Sequence, residues 1–91
     1  MHLTEEQLNV IEEMAYRLFK PFTIAINIEV DEIEFQNELT YEGSDVRNAF
    51  YKGLIRQETE LRNAIIKASN NGSNPAQEQL LRMMKNLNAA L

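Results

Sequence analysis

Apolar residues recur at helical spacing from the start of the chain, where Leu8, Ile11, Ala15 and Leu18, helped by Met14 and Phe19, form one stripe. Thr4-Glu5-Glu6-Gln7 just ahead of it reads as a capping box, with Leu3 and Leu8 at the two flanking staple positions. The pattern predicts a first helix from Thr4 that is ended by Pro21, because the residue before a proline is pushed out of the α region. The next stretch, PFTIAINIEVDEIEFQNEL from Pro21, is harder to read. Thr23 to Val30 has the Ile/Val content of a strand, but no second convincing strand exists to pair with it. A short helix over about Phe22 to Ile28, a turn at Glu29 and Val30, and a second helix capped by Asp31 suit it better, with Glu34 at the third helical position.

Thr40-Tyr41-Glu42-Gly43 is a loop, and Ser44-Asp45 starts a long helix that should reach about Asn70. On it Val46, Phe50, Leu54, Leu61, Ala64, Ile65 and Ala68 share one face, with Tyr51 at the edge, and Lys52, Arg56 and Lys67 take the opposite face. Gly53 interrupts the pattern and marks either a close helix crossing or a break. Asn70 to Pro75 combines a stop at Gly72 with a start at Asn74, where Gln77 would complete a second capping box. The last helix, about Pro75 to Ala90, carries Leu80, Leu81, Met84, Leu87 and Leu91. The expected fold is all-α: one domain of four to five helices, with a helix-turn-helix corner within residues 4–39 and an antiparallel C-terminal hairpin over 44–90.

The length of 91 residues leaves room for one domain, and 44% hydrophobic against 25% charged residues is the balance of an ordinary folded protein. Without any Cys and with His2 alone, neither a disulfide framework nor a Cys/His metal site can be assembled. A core this small is marginal by itself, so self-association is the remaining way to add buried area. No segment is apolar enough for a membrane span and the first residues lack a signal pattern, so the expected location is the cytoplasm. The net charge of -5 conceals a polarity. Residues 1–45 carry a balance of -9, with only Arg17 and Lys20 as bases, and residues 46–91 carry +4. Such a dipole suits head-to-tail assembly, or a basic patch on a polyanion.

Catalytic chemistry finds little to stand on. The acid pairs Glu5/Glu6 and Glu12/Glu13 and the group Asp31/Glu32/Glu34 lie beside no nucleophile and read as solvated surface, and Gly43, Gly53 and Gly72 are too scattered for a phosphate loop. No cofactor or metal is expected. The helix-turn-helix candidate is the informative element. It needs a small residue at the crossing, for which Ala25 serves, inward apolar residues, for which Ile24, Ile28, Val30 and Phe35 serve, and an exposed second helix, offering Asp31, Glu32, Ile33, Gln36 and Asn37. The turn position usually held by Gly is Glu29, at a cost of about 1 kcal/mol if it is left-handed. Gln36 and Asn37 could read adenine edges and Glu32 could accept from cytosine, with Arg17, Lys20 and Arg47 on phosphates and Lys52, Arg56 and Lys67 as a second basic stripe.

Three segments also carry a resemblance: PFTIAINIEVD at 21–31, VRNAFYKGLIRQETEL at 46–61 and ASNNGSNPAQ at 68–77, within which AFYKG and GSNPA are the more specific pieces. They resemble the helix-turn-helix and helical-hairpin region of phage and prophage DNA-packaging proteins, the small terminase subunits. The resemblance implies a non-catalytic helical protein that binds double-stranded viral DNA, oligomerises, often as a ring, and hands DNA to a large ATPase and nuclease subunit. The competing expectation, from a different class, is a helical protein-interaction module that never meets nucleic acid. A metal-dependent enzyme is a third reading.

Overall fold

Residues 22–39, within which composition left a strand open over Thr23 to Val30, form two short helices joined by a turn. The computed structural model describes all residues from 1 to 91 and contains five helices and no strand: α1 (Glu5–Tyr16), α2 (Pro21–Asn27), α3 (Glu32–Glu38), α4 (Asp45–Asn70) and α5 (Asn74–Ala90). No helix is long and apolar enough to cross a membrane. Packing divides the chain into two compact units, Met1–Gln57 and Glu58–Leu91, with the boundary inside α4.

In the first unit the predicted capping box is in place. The Thr4 hydroxyl accepts from the Gln7 N–H at 3.1 Å, and the Gln7 carboxamide oxygen accepts from the Thr4 N–H at 2.9 Å. Leu3 and Leu8 both pack against the core. The end of α1 differs from expectation: it stops at Tyr16, well short of Pro21. Leu18 takes a left-handed conformation (φ 66), its N–H donating to Ala15 O and that of Phe19 to Met14 O, which closes the helix in a Schellman turn. That turn lifts Leu18 and Phe19 out of the apolar stripe; Leu18 is 65% exposed. Lys20 is then extended (ψ 150), as a residue before proline must be, and Pro21 opens α2 instead of merely ending α1.

The corner between α2 and α3 repeats the same device. Glu29 is left-handed (φ 60), with its N–H donating to Ile26 O and that of Val30 to Ala25 O. Asp31 then caps α3 by accepting from the Glu34 N–H at 2.9 Å. Ile11, Ala15, Ile24, Ala25, Ile28, Phe35, Val46 and Phe50 form the buried core, and Val30 packs against it half-buried. Gly53 is a crossing, not a break. A Cβ there would strike the Glu12 carbonyl oxygen and come within 2.9 Å of both Ala15 Cβ and Tyr16 N. The absence of a side chain therefore lets the first half of α4 press backbone to backbone on α1, and the Gln57 side-chain amide donates to the helix-end carbonyl of Tyr16 at 2.9 Å.

The second unit is the hairpin made by the end of α4 and α5. Gly72 (φ 95) occupies the left-handed position after α4, with Ser73 N–H donating to Ala68 O. The cap of α5 is Ser73, accepting from the Ala76 N–H at 3.3 Å, and not Asn74. Gln77 consequently does not close a capping box; its amide donates across the turn to Ser69 O at 3.2 Å. Of the expected α4 face here, Ile65 is buried and Ala68 half-buried, while Leu61 and Ala64 are exposed.

Candidate nucleic-acid interface

The corner is assembled as helix-turn-helix geometry requires. Ala25 is fully buried at the crossing and Ile24, Ile28 and Phe35 are turned inward. Asp31, Glu32, Ile33, Gln36 and Asn37 all lie on the solvent side. Helix α3 is thereby presented with Glu32, Gln36 and Asn37 free to meet another surface, and Arg17 and Lys20 stand exposed at the segment leading into α2. All five residues are exposed and belong to the first unit.

The remaining predicted contacts do different work. Arg47 is half-buried, donates to the Leu39 carbonyl at 2.8 Å and lies 5.1 Å from the centre of the Tyr51 ring. It fastens the end of α3 to α4, which occupies the guanidinium that was expected on phosphate. Arg56 was expected on a solvated face opposite the apolar stripe. Instead its Nη1 donates to Glu12 at 2.7 Å and to Glu13 at 2.8 Å, and its guanidinium stacks 4.6 Å from the Tyr16 ring centre. Lys52 lies 4.0 Å from the same Glu12. The reason is the Gly53 contact: with the α4 and α1 backbones so close, Arg56, three residues on and so on the same face as Gly53, must meet α1, while Lys52 reaches Glu12 from the flank with its side chain still 71% exposed. Lys67 belongs to the second unit and is exposed. The expected second stripe is thus divided: Lys52 and Arg56 answer the acids of α1, and Lys67 alone remains on open surface.

Electrostatics follow from these pairs. The hydrogen bond from Arg56, and then its charge, holds the Glu13 carboxyl below the ordinary carboxylate value against a smaller opposing effect of burial. Glu13 and Glu12 in turn raise Arg56. Glu38 is also lowered, chiefly by the Ser44 hydroxyl donating at 2.9 Å, while Ser44 accepts from the Arg47 N–H to start α4.

Sequence reasoning missed a groove of about 490 Å³ beside α1, lined by Glu6, Asn9, Val10, Glu13, Met14, Arg17, Phe19 and Asn27. It exists because Phe19 swings out in the Schellman turn, which no glycine announces. It also missed two apolar residues left outside on α2, Phe22 and Ile26, which are exposed as the expected Ile33 is, the last to 73%. No family model matches the chain, and neither a curated protein nor a solved structure matches it.

Proposed function

We propose that the protein is a non-catalytic, oligomeric DNA-binding adaptor of the packaging type, which meets double-stranded DNA through the α2–α3 corner and passes it to a large terminase-type ATPase and nuclease subunit. The observation that carries this reading is the corner itself: a buried Ala25 crossing, a turn closed at Glu29, and a second helix offering Gln36, Asn37 and Glu32 to the outside. Arg17 and Lys20 supply the phosphate contacts, since Arg47 and Arg56 are occupied within the chain. Two phosphate contacts per protomer give a log–log salt slope of only about -2, far below that of a tight binder. Useful affinity then needs several protomers on one duplex, which ties DNA binding to assembly.

Fluorescence anisotropy with a mixed-sequence duplex tests this. Binding that weakens as salt rises, and that drops uniformly across sequences in Arg17→Ala/Lys20→Ala, supports the reading. No binding at about 50 mM salt, where phosphate contacts are strongest, refutes it.

One observation favours a second reading, a protein-docking module. Glu29, Asp31, Glu32 and Glu34 surround α3, next to the exposed Phe22, Ile26 and Ile33. An acidic and apolar surface repels phosphates and suits a basic amphipathic segment of a partner protein.

A further inference from the structure

Along α5 the burial of the inward stripe falls steadily away from the turn. Ala76 is buried, Leu80 and Met83 are half-buried, Met84 is 55% and Leu87 61% exposed. On the facing helix Ile65 is buried and Leu61 is 55% exposed. The far end of the hairpin is therefore an open apolar groove of about 450 Å³, lined by Arg62, Leu80, Met83, Met84, Asn86 and Leu87. Two helices can cover only one side of each other, and the usual way to close such a core is with a second pair.

We propose that a second copy of this chain covers the groove, hairpin against hairpin about a two-fold axis, forming a four-helix bundle. Area is the first argument. Leu61, Met84, Leu87 and Leu91, with the uncovered parts of Leu80 and Met83, expose apolar surface on the order of 500 Å². A standard interface buries about 800 Å² per partner, of which about 60% is apolar, so the patch matches what a stable dimer needs. Charge is the second. Residues 58–91 hold Glu58, Glu60 and Glu78 against Arg62, Lys67, Arg82 and Lys85, which leaves the hairpin nearly neutral. Residues 1–57 hold eleven acids against five bases, so two first units repel one another where two hairpins do not. Shape is the third: a two-fold contact needs a patch that fits itself, and the exposed Met84 and Leu87 stand beside a groove large enough to receive their counterparts. Because Glu58 and Arg62 are already paired at 2.7 Å, the rim of the groove brings no unmatched charge into the contact.

This inference deepens the oligomeric half of the proposed function and rests on it, and a measurement without DNA separates the two. Multi-angle light scattering on the full chain at micromolar concentration should give twice the protomer mass, or an even multiple, unchanged in high salt. Met84→Glu/Leu87→Glu should give a monomer with its circular-dichroism helix content retained, and Ile33→Glu on α3 should leave the assembly intact. Should the double variant lose helix content, Leu87→Gln alone, in the groove lining, is the milder probe, expected to weaken dimerisation about tenfold. A monomeric parent protein, an odd-numbered ring, assembly that dissolves in high salt, or a mass indifferent to both probes overturns the proposal. If the seam fails while DNA binding persists, only the seam is wrong; if DNA binding fails while the dimer persists, the DNA reading alone falls.

Discussion

The two units are apolar to a similar fraction and put it to different use. In Met1–Gln57 four helical segments converge on Ile11, Ile24 and Phe35, none of which touches solvent. In Glu58–Leu91 two helices of comparable hydrophobicity bury only Ile65, Ser69 and Ala76. The difference lies in geometry, since helices that cross at a corner enclose a volume and a simple hairpin has one seam with nothing behind it. The first unit encloses a core of its own and leaves Phe22, Ile26 and Ile33 outside it on a mostly acidic exterior; the second leaves most of its large aliphatic side chains uncovered.

Deleting a core side chain from each unit gives the largest contrast. Phe35→Ala should cost about 3–5 kcal/mol and Ile65→Ala about 2 kcal/mol, read as the difference in urea-unfolding midpoints. Equal costs would mean the hairpin is as well packed as the corner. Gly53→Ala should follow at about 1–3 kcal/mol, since its methyl group meets backbone that cannot yield as a flexible side chain would; an unchanged melting temperature would show that α1 and α4 can part without loss. Glu29→Gly should act in the opposite direction and stabilise by about 1 kcal/mol, because it relieves a left-handed residue with a Cβ. Acid supplies the smallest effect. Glu13 and Glu38 are held below their usual value of 4.5, so the folded state binds these protons less readily than the unfolded chain. Their contribution is complete above that value and disappears as the pH falls through the lowered folded values. Melting temperatures should therefore be flat near neutrality and decline below about pH 4.5, less so in Glu13→Gln.

Local chemistry made much of the architecture legible. Thr4 with Gln7, Asp31 with Glu34, and Gly72 announce helix ends through groups a few residues apart, and Ala25 and Gly53 announce crossings by being small. Helical periodicity correctly placed Ile24, Ile28 and Phe35 inside. The end of α1 was not legible, because its left-handed position holds Leu18, a residue that gives no turn signal and that by spacing alone belongs to the stripe. The choice of Ser73 over Asn74 as cap was a matter of one residue between two good candidates. For the candidate site, Glu32, Gln36 and Asn37 could be found from spacing, since exposure on a short helix is a local property. The fate of Arg47 and Arg56 could not, because it depends on carbonyls, carboxylates and rings supplied from elsewhere in the fold.

The outward turn at Leu18 has a consequence for handling the protein. It sets the peptide bond between Arg17 and Leu18 on an exposed bend where both neighbours are solvated, and leaves Lys20 shielded by the proline that follows. Trypsin should nick the chain there first. The severed α1 should nevertheless stay seated, gripped by the notch at Gly53 and by the Arg56 fork, so that the cut molecule elutes as one species until denaturant separates its pieces.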